Sequence, residues 1–241
     1  MNKKINPINP NTEMSVFEHL EELRQRILIA SIIFFIITIT CFAYMKNIAY
    51  ILQQPAIGIK FLQLAPGEYL FTSIKVSLYT GFLLSSPFII YQIILFILPG
   101  LTKKESKLII PILSTSIILF FSGIIFAYKI LAPAALQFLI SYGNEIVEPI
   151  WSFEQYFNFI LLLLFSTGIA FQIPIIQIIL GTLKIFSSTE MYTYWKYIVL
   201  SATIIAAIIT PSTDPITQII MSLAILILYS SGIIILKILN K

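Results

Sequence analysis

The stretch Phe157–Leu180, FNFILLLLFSTGIAFQIPIIQIIL, contains no Asp, Glu, Lys or Arg. At about 1.5 Å of rise per residue, a helix of that length reaches about 36 Å and crosses the roughly 30 Å hydrocarbon core of a bilayer. Its apolar residues are continuous and do not alternate with polar ones, so it reads as a membrane helix and not as a strand of a transmembrane barrel. Five more charge-free runs surround it: Ile27–Met45, Val76–Leu98, Leu108–Tyr128, Tyr197–Ile209 and Ile216–Leu236. The six runs take up 121 of the 241 residues, and all 26 charges fall in the remaining 120. That half has about the charge density of a soluble protein, roughly a quarter. Charge is thus excluded from particular spans, and the pattern predicts an all-α integral membrane protein with six transmembrane helices. The fifth run, confined between Lys196 and Pro211, is much shorter than the others. It is either re-entrant or sits where the bilayer is thinned.

Loop charges predict the orientation. The N-terminal tail, the loops 99–107 and 181–196 and the C-terminal tail 237–241 hold 11 of the 15 Lys and Arg, and the connections 46–75, 129–156 and 210–215 hold four. The positive-inside rule places both termini on the cytoplasmic or stromal side. The opposite connections 46–75 and 129–156 are rich in Pro, Gly and aromatics and read as ordered caps. Residues 1–14 form a polar tail ahead of a single membrane domain, 15–241. No cleavable signal pattern is expected at the N-terminus, where Lys3 and Lys4 precede Asn-Pro repeats. Thirteen Lys against two Arg, with abundant Ile, Phe, Tyr and Asn, suggest an AT-rich organellar genome.

The spans lack the groups catalysis requires. They contain no carboxylate and no histidine, so no paired carboxylates, metal cluster or Ser-His pair can assemble at membrane depth, and neither an enzymatic role nor a bound cofactor or metal is expected. The nine glycines are scattered singly, without a phosphate-cradling loop. No basic patch with interleaved aromatics points to nucleic acid. The single cysteine, Cys41, reads as a small apolar packing residue.

Ser15-Val16-Phe17-Glu18 matches a capping box, so a helix is expected to start there. Val16, Leu20, Leu23 and Ile27 form one apolar stripe leading into the first span. Glu18, Glu21, Glu22, Arg24 and Arg26 occupy the other faces. Taken by themselves they read as a solvated surface, with Glu22 and Arg26 paired at i,i+4.

The run Phe17 to Arg26, FEHLEELRQR, resembles the N-terminal signature of TatC, the multispanning core of the twin-arginine protein translocase. Further matches follow in order: Ser86-Pro87, Tyr91-Gln92, Phe96 and Pro99, the loop Lys103-Lys104-Glu105-Ser106-Lys107, Phe171-Gln172-Ile173-Pro174, and Thr210-Pro211 with Asp214 and Gln218. The resemblance covers residues from about 16 to 236. It implies a cup-like bundle that binds twin-arginine signal peptides and, with single-span TatA/TatB-type subunits and other TatC copies, passes folded proteins across an energised membrane.

The resemblance makes Glu22 and Glu105 the recognition carboxylates, flanked by His19, Glu21, Arg24, Lys103 and Lys104. Guanidinium groups offer carboxylates a planar fork that an ammonium lacks. The lysines around Glu105 either hold it in place or repel other basic peptides, and they serve equally well as positive-inside signals. Gln172 and Gln218 are expected as polar groups within the membrane. Gln172 stands where relatives often carry Glu, and Ser230 where they commonly carry an acid. Pro55, Glu68, Pro87, Phe96, Pro99, Pro174, Pro211 and Asp214 are the expected structural and loop positions, and Pro87, Pro111 and Pro174 are expected to kink their spans. A plastid thylakoid membrane is the favoured location, ahead of a mitochondrial or bacterial inner membrane. A secondary transporter or respiratory-complex membrane subunit is the alternative, but it would carry buried ionisable groups or inverted repeats.

Overall fold

In a bilayer every backbone N–H and C=O has to be satisfied within the chain, which drives apolar runs into helices. The computed structural model describes residues 16–56, 58–97, 109–143, 148–210 and 214–239. Helix α1 runs unbroken from Val16 to Ala43, through the charged stretch and into the first span. The short α2 (Met45–Gln53) follows, then one turn of 3-10 helix at Gln54–Ala56 that contains Pro55. Helix α3 covers Glu68–Ile97 and α4 covers Ile109–Phe126, and α4 continues through a π-helical turn at 127–131 into α5 (Ala132–Gly143). Helices α6 (Phe153–Ala170) and α7 (Ile173–Thr182), the short α8 (Ser188–Thr193), α9 (Trp195–Ile209) and α10 (Pro215–Ile238) complete the chain.

Among the described residues five helical segments are long and apolar enough to cross a membrane: 17–43, 68–96, 110–142, 153–182 and 215–238. Helix α9, over the fifth charge-free run, has 15 residues, or about 22 Å of rise. Several helices extend well past the charge-free runs, since charge marks the hydrocarbon boundary whereas a helix ends where its backbone loses partners. Ser15, the expected N-cap of α1, lies outside the described residues.

The prolines behave differently from one another. Pro87 is accommodated within the continuous α3. Pro111 is the third residue of α4 as described from Ile109. Pro174 sits in the first turn of α7, just past a break at Phe171–Gln172 that divides the fourth long segment.

The core forms around α6, where Phe157, Ile160, Leu161, Leu163 and Leu164 are buried against α3, α4 and α9. α1 packs along α3, and the two backbones meet at Gly81, where an added Cβ would lie 2.9 Å from Thr38 Cα. The outward faces are apolar and exposed, with Ile32, Ile36 and Ile39 on α1, Ile118 on α4 and Ile227 and Ile234 on α10. A continuous apolar exterior of this kind suits lipid.

The described parts of the connections 46–75 and 129–156 are joined to each other. Strand β1 (Lys60–Leu62) pairs in parallel with β2 (Ile150–Ser152), Phe61 opposite Trp151. Three-residue strands carry no periodic signal, so the sequence did not announce them. Beside them Tyr156 Oη donates to Leu52 O at 2.6 Å, and Lys75 of α3 pairs with Glu154 of α6. Between α7 and α8, Ser187 and Glu190 form a reciprocal capping box, and the Ser187 amide and hydroxyl hold the Glu190 carboxyl below its usual range.

Candidate functional site

Glu22 sits in the second turn of α1, on the side facing the C-terminal end of α3. Arg26, one turn on, donates to Glu22 Oε1 from Nε at 2.9 Å and also from Nη2. Its third nitrogen, Nη1, donates to Gln92 Oε1 on α3 at 3.3 Å. The side chains of Glu22 and Arg26 are only 20% and 18% exposed, so this pair is not the solvated surface contact that i,i+4 spacing suggests by itself. The second carboxylate oxygen, Glu22 Oε2, is buried and accepts no hydrogen bond. His19 Nδ1 lies 3.6 Å from it, an ion pair when the imidazole is protonated. The His19 ring stacks on Phe96, centroids 4.2 Å apart and planes 11° from parallel. This end of α1 is therefore fastened to α3 by one ring stack and one guanidinium bridge.

Glu21 and Arg24 point away and pair loosely at 3.8 Å, both largely exposed. Lys103, Lys104 and Glu105, together with Pro99 and Pro211, lie outside the described residues. Gln92, quoted in the sequence only as part of a family match, is the side chain that sequence reasoning missed as part of this site. The i,i+4 spacing already marked Arg26 as a partner of Glu22. Nothing local marked Gln92, which is remote in sequence and reaches the site from the neighbouring helix.

A second polar site lies inside the bundle. At the α6/α7 break, Gln172 Nε2 donates to Ser116 O of α4 at 3.1 Å, and Ser116 Oγ donates back to Gln172 Oε1. Gln172 is partly buried, and this reciprocal pair occupies its amide. Gln218 is different. It lies in the first turn of α10, near the end of that helix and not deep within it. Just before it, buried Asp214 caps α10, its Oδ2 accepting from Thr217 N at 2.8 Å, with Pro215 in the first turn. Gln177, unmarked in the sequence, is buried between α7, α8 and α10.

At the opposite end of the bundle Glu68 is only 4% exposed. Its carboxylate accepts from Leu64 N at 2.5 Å, Ala65 N at 3.0 Å, Glu154 N at 2.9 Å and Ser152 Oγ at 3.0 Å. Four donors from two connections converge on one side chain, which makes Glu68 a latch between the caps. Among the described residues no group of three or more His, Cys, Asp or Glu side chains is placed to hold a metal ion.

These features define the class, a polytopic helical membrane protein. The profile of the Sec-independent protein translocase protein TatC matches residues 18–223, and the chain belongs to the TatC family. It is 86% identical over 234 residues to the tatC-like protein ycf43 of Gracilaria tenuistipitata var. liui, covering 97% of this chain and 98% of that one. It is 49% identical over 237 residues to the Sec-independent protein translocase protein TatC of a Synechocystis strain, 98% and 93% covered. The chloroplastic TATC of Pisum sativum is 50% identical over 222 residues, which are 91% of this chain and 63% of that protein. The crystal structure of a twin arginine translocase receptor, TatC, superposes with a TM-score of 0.81 at 36% identity, over 93% of this chain and 100% of the other. The chain is a plastid membrane protein and a core component of the Sec-independent translocase type.

Proposed function

We propose that this chain is the receptor subunit of a twin-arginine translocase in the thylakoid membrane. It binds the paired arginines of signal peptides at its stromal face and, with other TatC copies and single-span TatA/TatB-type subunits, passes folded proteins across the membrane at the expense of the proton-motive force. In this reading the membrane domain spans 15–241 behind the polar tail 1–14. Six helices cross the bilayer, α9 being the short fifth, and both termini are stromal.

The observation that carries the reading is the state of Glu22. It is a half-buried carboxylate that already accepts a guanidinium on one oxygen and keeps the other without a hydrogen-bond donor. A peptide arginine supplies the missing donor once the side chains over this buried oxygen move aside, and Glu105 is proposed to take the second arginine. Each charge-assisted bond is worth on the order of 1.5–3 kcal/mol, which corresponds to roughly tenfold to a hundredfold in affinity.

The test is a binding titration of the purified full chain with a twin-arginine signal peptide and with its Lys-Lys counterpart. Tight binding of the first and at least tenfold weaker binding of the second support the reading. Equal affinity for both peptides overturns it.

A further inference from the structure

An apolar groove of about 300 Å³ opens on the outer surface between α3 and α4, floored by Leu164 of α6. Leu84, Phe121 and Ile125 form its walls, and Ile51 of α2 covers one end. At that end stand Tyr128 and Lys129, in the π-helical turn. Tyr128 Oη donates to Ile51 O at 2.6 Å and so fixes α2 over the groove, while Lys129 is exposed, its ammonium 5.9 Å from the Tyr128 ring centroid. Lys129 is the one charged residue in the lining, and among the described residues no carboxylate pairs with it.

Depth follows from the helix rise. From Ile109 to Lys129 the continuous rod of α4 rises about 30 Å, one hydrocarbon thickness from the start of that helix. Phe121 lies about 18 Å along by the same rise. The groove therefore occupies the leaflet opposite the Glu22 end, with its cation at the interface where lysine ammonium groups settle. The lining is apolar along the groove and its one cation stands at the end, the pattern of an acyl chain and its charged headgroup.

We infer that this groove is a binding site for an anionic glycerolipid of the leaflet opposite the Glu22 end, with an acyl chain along Leu84, Phe121 and Ile125 and a charged headgroup against Lys129. The occupant's acyl chain completes the packing that α3 and α4 leave open, and the headgroup supplies the negative charge that the lining lacks.

The test uses the full chain in phosphatidylcholine vesicles doped with trace phosphatidylglycerol or phosphatidylcholine, each carrying a photoactivatable diazirine at the same acyl carbon. Adducts on Leu84, Phe121 and Ile125 are expected at least threefold more often from the phosphatidylglycerol probe. Lys129→Gln should abolish that preference, Lys129→Arg should keep it, and Leu84→Trp, which fills the groove, should remove groove adducts while leaving those on Ile32 and Ile227. Adducts spread evenly over all lipid-facing helices overturn the site, and equal labelling by the two probes, or a preference that survives Lys129→Gln, overturns the headgroup assignment. Normal elution of each variant as a folded species separates these outcomes from misfolding.

Discussion

Arg26 binds Glu22 through two nitrogens that share a single carboxylate oxygen, Oε1, and sends its third nitrogen to Gln92 on the neighbouring helix. A parallel fork would have used both oxygens. The one-sided geometry leaves Glu22 Oε2 without a hydrogen bond, in a position where such a group costs about 1–3 kcal/mol. Glu22 is thus fixed in place by the protein's own arginine while it retains unused accepting capacity.

The first prediction separates the two functions of that carboxylate. Glu22→Gln keeps an oxygen for Arg26 and nearly the same shape but removes the charge from a mostly buried pair, so the stability of the purified chain is expected to fall by about 1–3 kcal/mol. Affinity for a twin-arginine peptide should nonetheless fall at least about tenfold, because the charge that strengthens the bond is gone. Parallel thermal-shift and peptide-anisotropy measurements check both parts. An unchanged affinity removes Glu22 from the recognition site.

Glu68 makes the opposite case, a carboxylate used to the full by its own chain. Glu68→Ala strands the N–H groups of Leu64, Ala65 and Glu154 and the Ser152 hydroxyl. Even if water rescues some of them, the expected loss is on the order of 2–5 kcal/mol, seen first as proteolysis in the 58–67 segment. Glu68→Gln should be intermediate, since its amide offers a donor where only donors converge. Wild-type protease resistance in the Ala variant would show that the caps hold without the latch.

The contrast between these two glutamates indicates what the sequence carries. Helix positions were legible because a charge-free run as long as 157–180 has essentially one stable form in a bilayer. The Glu22–Arg26 pair was legible because its spacing is local. Glu68 was visible as a position, but its role depends on Ser152 and Glu154, which are remote from it in sequence. The β1–β2 pairing, the Arg26–Gln92 bridge and the Gln172–Ser116 pair were hidden for the same reason: each depends on how helices approach one another, which composition and periodicity do not encode. Pro174 marked the α6/α7 break, whereas Pro87 lies in an unbroken helix, so a proline's place within its helix decides its effect.

At that break, Gln172 and Ser116 each act as donor and acceptor to the other. Ser116→Ala and Gln172→Leu should each destabilise by about 0.6–2 kcal/mol, the range of interhelical hydrogen bonds within membranes. The double variant should cost less than the sum, because the second substitution removes a bond already lost. Gln172→Glu should be tolerated, since a neutral carboxylic acid also both donates and accepts at this depth. A double-mutant cycle by thermal denaturation in detergent measures the coupling. Strict additivity would show two independent packing positions.

The final prediction concerns the sides of the membrane, and contacts along the bundle sharpen it. His19 near the start of α1 stacks on Phe96 at the end of α3, so these lie at one end of the bundle. Lys75 in the second turn of α3 meets Glu154 in the first turn of α6, so α6 begins at the other end and α7, continuing the same long segment, finishes toward the His19 end. Leu236 of α10 packs against Gly181 of α7, which brings Lys237 to the His19 end, while Gly67, just before α3, lies at the Glu154 end. With 11 Lys and Arg at one end against four at the other, the positive-inside rule predicts that the His19 end is stromal. In a Cys41→Ala background, single cysteines replacing Lys237 and Lys103 should react with an impermeant maleimide added from the stromal side of intact thylakoids, and a cysteine replacing Gly67 only after the membranes are opened. Stromal labelling at position 67, or protection at 237, would invert the orientation and place the Glu22 carboxylate on the side from which no stromal precursor arrives.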